Sequence, residues 1–387
     1  MQSQPRFEKL PVARATSPIG IASRRARMTQ ARVTLVTLFA LTAAIVFMNR
    51  SHADAGLVRV QAAAESPKDA AKSPAASSPT TAALDAESML SAIVRVKMRA
   101  VPGARSTSTL GPERNGSGVI IDAQGHILTI GYIVNEADSI EVTGGDNKTV
   151  PALLVAYDHA TGIGLLRATL PLKGPPLPLG QSAALAIREP VMILPAGGRE
   201  SASVAYVMSR RSFAGGWEYF VDNAIFTAPP TMNWSGAALV NREGKLVGIG
   251  SLLVRDTMQP GSPLPGNMFV PIDVVQPILA ELIQNGKRSG PQQPWLGMST
   301  EESQGRLFVT RVSPEGPADK AGIRRGDIVL GVGADTVQNL EEFYRKVWAI
   351  GPAGAEVSIR VLQGPQLKEI RIRSIDRNDY FREKSST

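Results

Sequence analysis

The chain contains no cysteine among its 387 residues. This absence excludes disulfide bonds, a thiolate nucleophile, cysteine-based zinc sites and CxxCH haem attachment. Histidine is also scarce, with three residues, and aromatic residues make up 5% of the chain. A reaction that needs a histidine therefore has few positions available. The sequence predicts neither a metal site nor a cofactor.

Positive charge is concentrated at the N-terminus. The formal net charge is +8, and residues 1–50 contribute about +7 of it, with eight arginines and lysines against one glutamate. The rest of the chain is nearly neutral, so the charge does not indicate a nucleic-acid-binding surface on the folded part. A positive flank beside a membrane segment accounts for the charge better.

That segment is residues 33–48, sixteen residues without a charge. As a helix, at about 1.5 Å per residue, it would span roughly 24 Å, slightly less than a bilayer core of about 30 Å. Residues 1–32 are then a basic cytoplasmic tail, and the folded body lies in the periplasm. Residues 53–55 (Ala-Asp-Ala) also fit a signal-peptide cleavage site. Two interpretations stay open: a single-pass inner-membrane anchor, and a cleaved signal that leaves a periplasmic protein.

Beyond this segment the composition divides the chain into further parts. Residues 49–86 are rich in Ala, Ser, Pro and Thr and are expected to form a flexible linker. Residues 87–288 contain short apolar runs separated by Gly, Asn and Asp, a pattern typical of a β-barrel. A linker at 289–294 precedes a second domain at 295–376 and a tail at 377–387. The predicted fold class is mainly β.

Within residues 87–288 the pattern predicts nine strands and one helix. The strands are expected at residues 90–97, 118–122, 126–130, 139–143, 191–195, 203–209, 219–227, 237–240 and 245–249. The helix is expected at residues 273–284, with Asp273 as its N-cap. Its apolar face would carry Val275, Ile278, Leu279 and Ile283.

Three motifs in this region carry chemical information: Asn233-Trp234-Ser235-Gly236, Gly125-His126-Ile127-Leu128-Thr129-Ile130-Gly131-Tyr132, and Asp158-His159-Ala160-Thr161-Gly162. They resemble the nucleophile, base and acid motifs of trypsin-like serine proteases of the HtrA/Deg family. The resemblance implies a double β-barrel with a Ser-His-Asp triad. Ser235 stands at the nucleophile position. Tyr132 stands where the family has histidine, and Gly162 stands where it has aspartate.

These replacements remove the groups that activate the serine. A serine hydroxyl needs a base within hydrogen-bond reach, and a third group must orient that base. A tyrosine with a pKa of about 10 is protonated near neutral pH, so Tyr132 is a poor base. Gly162 has no side chain. Asn233 replaces a family glycine whose N–H contributes to the oxyanion hole. The sequence therefore predicts a protease fold that no longer cleaves its substrates.

Other bases for Ser235 can be considered. His126 is expected in a strand, about 20 Å from the site by the spacing of strand residues. His159 is expected to be a solvated turn residue and is the one histidine worth testing as a base. Lys245 is expected to point to solvent, and Trp234 to crowd the position of a scissile bond. Two hypotheses follow: a pseudoprotease, and an active endopeptidase of periplasmic protein quality control that uses Ser235 with a non-standard base.

Residues 295–376 resemble a PDZ domain of the bacterial HtrA arrangement. The resemblance rests on three runs, at residues 295–298, 312–323 and 325–330. A PDZ domain binds the last residues of a partner as an added strand, while backbone N–H groups of a loop receive the terminal carboxylate. The resemblance assigns that loop to Trp295, Leu296, Gly297 and Met298.

A helix at residues 340–348 is expected to form the other wall of the PDZ groove. Its spacing places Leu340, Phe343 and Val347 on one stripe, which would either line the groove or pack the domain core. The expected partners are protein C-termini or unfolded segments, and an HtrA relative in a homo- or hetero-trimer. The expected role is that of a scaffold, a sensor or a regulator.

Overall fold

The computed structural model of the chain describes residues 86–381. The predicted cytoplasmic tail (1–32), the predicted membrane segment (33–48) and nearly all of the predicted linker (49–86) lie outside this range. Between residues 86 and 381 no helix has both the length and the apolar character needed to cross a membrane.

The first part of the described chain is a closed six-stranded barrel. Its strands are β1 (Ile93–Ala100), β2 (Glu113–Ile120), β3 (His126–Ile130), β4 (Ala137–Thr143), β5 (Thr149–Asp158) and β6 (Ile163–Ala168). Three short helices accompany them: α1 (Ala86–Ser91), α2 (Thr107–Leu110) and α3 (Gly131–Val134). The strand order is β1-β2-β3-β6-β5-β4. Apolar and charged residues alternate along β1, so that one face of the strand packs inside the barrel. Val94, Val96 and Met98 are buried, and the charged residues between them are exposed.

A second six-stranded barrel follows. Its strands are β7 (Pro190–Leu194), β8 (Ser203–Gly215), β9 (Tyr219–Ala228), β10 (Ala238–Val240), β11 (Leu246–Val254) and β12 (Gly266–Pro271), in the order β10-β11-β12-β9-β8-β7. Helix α4 (Gln276–Asn285) ends this region. Leu282 of α4 is fully buried in the same apolar cluster as the first barrel, which joins the helix to that core.

The C-terminal domain is a six-stranded sheet with two helices. Its elements are β13 (Met298–Ser303), β14 (Arg306–Val312), α5 (Pro317–Lys320), β15 (Ile328–Val332), β16 (Asp335–Thr336), α6 (Leu340–Ile350), β17 (Glu356–Gln363) and β18 (Gln366–Arg373). The order is β13-β14-β15-β17-β18, with β16 paired to β15. Strand β13 therefore lies at an edge of the sheet, and within the described chain β14 is its one strand partner.

The structure agrees with the predicted strands in part. Strand β3 covers the predicted residues 126–130, whereas the run from 203 continues to Gly215. The run from Leu90 does not start a strand, because residues 86–91 are helical. Strands β5, β6 and β12 were not predicted. Strand β5 contains Pro151 and a mixed burial pattern, which hides the alternation that marks a strand.

The predicted start of the last barrel helix is wrong. Helix α4 begins at Gln276, and the side chain of Asp273 does not cap it. The Asp273 carboxylate instead accepts hydrogen bonds from the backbone N–H groups of Ser182, at 2.8 Å, and Ala183, at 2.7 Å. An Asp before an apolar run predicts a cap from local sequence, but here a turn distant in sequence provides the N–H groups.

Candidate functional site

Tyr132 and Ser235 lie in direct contact between the two barrels. Tyr132 belongs to helix α3, and Ser235 precedes β10. The Tyr132 hydroxyl oxygen lies 2.9 Å from Ser235 Oγ and 2.9 Å from the carbonyl oxygen of Ser251. The Tyr132 hydroxyl is the donor in both contacts, so its one proton is shared between the Ser235 hydroxyl oxygen and the Ser251 carbonyl oxygen.

This contact resembles a nucleophile–base pair in geometry and differs from it in chemistry. Burial raises the pKa of Tyr132 to about 12, and the hydrogen bond with Ser235 opposes that shift without cancelling it. Tyr132 is thus a neutral phenol at physiological pH. A neutral phenol oxygen is too weakly basic to take the proton that a serine nucleophile must lose.

The position of the family aspartate has no room for a side chain. Gly162 has φ +75°, and a Cβ atom there would lie 2.7 Å from the ring of Tyr219. The Tyr219 hydroxyl donates to the carbonyl oxygen of Thr161 at 2.9 Å, which fixes the ring in this space. A carboxylate at residue 162 would require Tyr219 to move.

The loop before Ser235 has its own hydrogen bonds. The Asn233 N–H donates to Thr231 Oγ1 at 3.3 Å, and Asn233 does not adopt a positive φ. The Gly236 N–H donates to the carbonyl oxygen of Gly250 at 2.9 Å. An oxyanion hole needs N–H groups aimed at the developing charge. The N–H at residue 233 has an internal partner instead.

Beside Tyr132 and Ser235 is a cavity of about 650 Å³ between the barrels and the C-terminal domain. Aromatic rings form much of its lining: Tyr132, Tyr157, Trp217, Tyr219, Trp234, Trp295, Tyr380 and Phe381. Trp234 is half-buried and occupies part of the space next to the serine. The cleft is therefore largely apolar.

The structure corrects the prediction for His159. This residue lies in a turn but is half-buried and not fully solvated, with its ring 4.0 Å from the ring of Tyr157 and 5.5 Å from that of Phe381, centroid to centroid. Burial, followed by the positive charge of Arg377, holds the pKa of His159 well below its usual value. Within residues 86–381 its Nδ1 atom has no hydrogen-bond partner.

The other candidate bases have partners of their own. His126 Nδ1 lies 2.6 Å from Asp122 Oδ2, and the Lys245 ammonium lies 2.8 Å from a Glu243 carboxylate oxygen. In the described part of the chain, no histidine or lysine is hydrogen-bonded to Ser235. The structure thus brings Tyr132, Gly162 and Ser235 together, with Tyr132 at the position of the base.

In the C-terminal domain the predicted carboxylate loop already contains a carboxylate. Glu218 Oε2 accepts from Leu296 N at 2.8 Å. Glu218 Oε1 accepts from Gly297 N at 2.7 Å and from Met298 N at 2.9 Å. Burial raises the pKa of the Glu218 carboxyl, and the N–H donors and Arg377 oppose the shift. Three donors aimed at two oxygens favour the ionised form.

Sequence reasoning did not find Glu218. It lies in the turn between β8 and β9, where Gly215-Gly216-Trp217-Glu218 carries no motif for chemistry. Its partners lie 78 to 80 residues later in the chain. The available signal was a polar turn between two strands, which is ordinary in β proteins.

The stripe predicted for the groove helix lies mainly in the domain core. Phe343 and Val347 of α6 are buried, and Leu340 packs against the same cluster. The residue of α6 that meets the β8–β9 turn is Tyr344, whose hydroxyl donates to the carbonyl oxygen of Gly215 at 2.7 Å.

Comparison with known proteins supports both domains. A family model described as a trypsin-like peptidase domain matches residues 116–249, and a PDZ domain model matches residues 294–373. The expected combination of a trypsin-like barrel and one PDZ domain is thus confirmed. These two models cover the site around Ser235 and the carboxylate loop.

Two relatives whose sequences are similar to this chain are named as proteases of the Do or DegP type. Protease Do-like 1, chloroplastic, of Arabidopsis thaliana is 29% identical over 285 residues, which cover 67% of this chain and 63% of the relative. A probable periplasmic serine endoprotease, DegP-like, of Halomonas elongata is 27% identical over 290 residues, which cover 70% and 58%. The chain thus spans about three fifths of the length of these relatives. Among solved structures, the serine endoprotease from Yersinia pestis is 26% identical with a TM-score of 0.43, covering 74% of this chain and 94% of that one.

Proposed function

Because the chain joins a trypsin-like protease domain of the HtrA/DegP family to one PDZ domain, we propose that it is a pseudoprotease that acts by binding protein C-termini or exposed segments. The observation that carries the proposal is the hydrogen bond between Tyr132 and Ser235. It puts a neutral phenol where the reaction needs a base. The crowding of Gly162 by Tyr219 leaves no place for an orienting carboxylate.

The proposal extends to location and role. Relatives named as periplasmic, together with the basic tail and apolar segment of this chain, support a body held in the periplasm. Residues 33–48 tether it to the inner membrane, or are removed if the signal is cleaved. There it serves as a scaffold, a sensor of C-termini, or a regulator that occupies one position of a trimer with an active HtrA relative.

The test is direct labelling of the serine. The full chain, purified in detergent, is treated with a fluorophosphonate probe and with an unfolded protein substrate, beside a Ser235→Ala variant. We expect labelling and cleavage of the wild type to equal those of the variant, because no residue between 86 and 381 other than the neutral Tyr132 lies where it could take the Ser235 proton. Labelling or cleavage that disappears in Ser235→Ala would refute the pseudoprotease assignment.

An active endopeptidase is the second candidate, and one observation favours it. The Tyr132 phenol oxygen lies 2.9 Å from Ser235 Oγ, within reach of its proton, and would serve as a base if the phenol were ionised. With a pKa of about 12, roughly one molecule in 100,000 is ionised at pH 7, and the fraction rises about tenfold per pH unit. Labelling that rises in this way between pH 7 and pH 10 in the wild type, and not in Tyr132→Phe, would establish this candidate.

A further inference from the structure

The carboxylate loop of the PDZ domain is filled by a residue of the same chain. Glu218 accepts hydrogen bonds from the N–H groups of Leu296, Gly297 and Met298, at 2.7 to 2.9 Å. These are the donors that the resemblance assigns to the terminal carboxylate of a bound peptide. Glu218 is 8% exposed, so its carboxylate is enclosed at the loop. All three N–H groups of the loop are thus occupied by this one side chain.

The backbone beside Glu218 also takes the place of a ligand strand. Strand β13 is an edge strand, and the N–H of Thr300 donates to the carbonyl oxygen of Gly216 at 2.7 Å. The approach is so close that a Cβ atom on Gly216 would lie 2.1 Å from the Thr300 carbonyl oxygen. A PDZ ligand binds by adding its backbone to such an edge. Gly216 therefore allows the turn to make this contact.

Helix α6 holds the turn from the other side. The Tyr344 hydroxyl donates to Gly215 O at 2.7 Å and accepts from Glu218 N at 3.2 Å. Phe220 belongs to the apolar cluster of the PDZ domain, with its ring 6.2 Å from that of Trp348. Residues 215–220, which we name the hairpin tip, thus lie between β13 and α6.

We propose that the hairpin tip is a resident ligand of the PDZ groove, so that a protein C-terminus binds only when Glu218 leaves the carboxylate loop. This inference rests on the proposed function, because it takes a C-terminus as the incoming ligand. Two carboxylates cannot share the same three donors, since their charges repel and each needs the N–H groups. The apparent affinity for a peptide is then the intrinsic affinity reduced by the fraction of molecules with an open groove.

Glu218 is the residue on which this closure depends most. Among residues 86–381, two ion pairs also connect the barrels to the PDZ domain: Arg345 with Asp222, and Arg105 with Glu315. Asp222 and Glu315 are exposed, and exposed pairs contribute little to stability. Asp222 follows Glu218 on the same hairpin, so it provides a matched control that removes one interdomain charge and leaves the carboxylate loop intact.

The first experiment compares peptide affinities. Fluorescein-labelled decapeptides ending in Val, Leu or Phe, each with a free or an amide-capped C-terminus, are titrated into the full chain in detergent. We expect Glu218→Gln to bind free-carboxylate peptides about 10- to 100-fold more tightly than the wild type, because the groove opens. Asp222→Asn should stay within about twofold of the wild type, and capping should remove the gain. Equal affinities for wild type and Glu218→Gln would overturn the closure.

The second experiment needs no peptide. Hydrogen exchange of the Leu296, Gly297 and Met298 amides should be slow in the wild type and in Asp222→Asn, and at least about tenfold faster in Glu218→Gln, because their acceptor is weakened. Glu218→Asp, which keeps the charge on a shorter side chain, should give intermediate rates. Circular dichroism checks that each variant is folded.

The two experiments separate the two proposals. If neither protein binds any peptide, the proposed C-terminus-binding function fails; slow exchange that depends on Glu218 would still identify the hairpin tip as the occupant of the loop. If exchange at residues 296–298 is the same in wild type and Glu218→Gln, the occupancy by Glu218 is refuted, whatever the peptides do.

Discussion

A single glycine shapes much of the site around Ser235. The carbonyl oxygen of Gly162 accepts from the N–H of Gly131, at 2.7 Å, and Gly131 begins the helix that carries Tyr132. The positive φ of Gly162 lets the loop turn towards this contact, and the missing side chain leaves space for the Tyr219 ring. A carboxylate at residue 162 would therefore need Tyr219 to move as well, so exchanging one residue would not place it there.

This argument predicts a large cost for Gly162→Ala. We expect the free energy of unfolding to fall by about 2–4 kcal/mol, from the unfavourable φ and from the contact with Tyr219. Gly305→Ala is the control: Gly305 has φ +67°, and a Cβ atom there would meet nothing within 4 Å. It should lose about 1–2 kcal/mol, from the backbone alone. Urea denaturation measures both, and equal losses would contradict the crowding.

A second prediction at this scale concerns His159, which is half-buried. Because the folded-state pKa of His159 lies well below its usual value, the unfolded chain binds more protons once the pH falls below about 6.5. Stability contributed by neutral His159 is thus present above pH 6.5 and is lost as the pH falls towards the folded-state pKa. We expect the free energy of unfolding to drop by up to about 1.4 kcal/mol per pH unit in this window.

The control for this prediction is His159→Phe, which keeps an aromatic ring against Tyr157 and Phe381 and cannot titrate. All other titrating groups are shared and cancel when the two proteins are compared. Denaturation at pH 7.0, 6.0 and 5.0 should show a steeper loss in the wild type. Parallel profiles would mean that burial does not hold His159 neutral.

At the scale of elements, the Asp273 carboxylate stabilises a turn that is distant in sequence, by accepting from the N–H groups of Ser182 and Ala183. We expect Asp273→Ala to lower the free energy of unfolding by about 1–2 kcal/mol, because two N–H groups lose their acceptor. Hydrogen exchange should accelerate at Ser182 and Ala183 and not in the first turn of α4. Asp273→Asn, which keeps one acceptor oxygen, should lose less. Faster exchange in α4 instead would restore Asp273 as the cap of that helix.

Some strands and site residues of this protein can be predicted from its sequence, and others cannot. Local patterns predict β3 and the run that begins at Ser203, because alternation and turn residues are visible within a few positions. Motif spacing finds Ser235, Tyr132 and Gly162, whose order along the chain is fixed by the fold. Glu218 could not be found in this way, because its role comes from the packing of one domain against another.

At the scale of the whole molecule, the barrels and the PDZ domain meet around one aromatic cavity. Glu218 contacts the carboxylate loop, and the next residue, Tyr219, fills the space beside Gly162. Neighbouring residues of one turn thus belong to both candidate sites. Arg105 adds a further connection, since it pairs with Glu315 and lies over the ring of Tyr380, 4.3 Å from its centroid. The position of the β8–β9 turn therefore affects both sites.

If the molecule works by binding, loss of the serine should be harmless and damage to the carboxylate loop should not. We expect Ser235→Ala to bind a free-carboxylate decapeptide as the wild type does, and Gly297→Glu to bind at least about tenfold more weakly. Gly297 has φ +80°, and a Cβ atom there would lie 3.1 Å from the Trp295 ring and 3.2 Å from Pro317. A charged side chain would also repel the incoming carboxylate.

Gly322→Glu is the matched control for this comparison. Gly322 lies in the same domain at φ +90°, where a Cβ atom would meet nothing within 4 Å. It therefore shares the backbone strain and the added charge of Gly297→Glu without disturbing the loop. Fluorescence anisotropy should give wild-type affinity for Gly322→Glu. If Gly322→Glu weakens binding as much as Gly297→Glu does, the effect comes from strain or charge in general. If Ser235→Ala weakens it, the serine takes part in function, and a purely PDZ-based role is wrong.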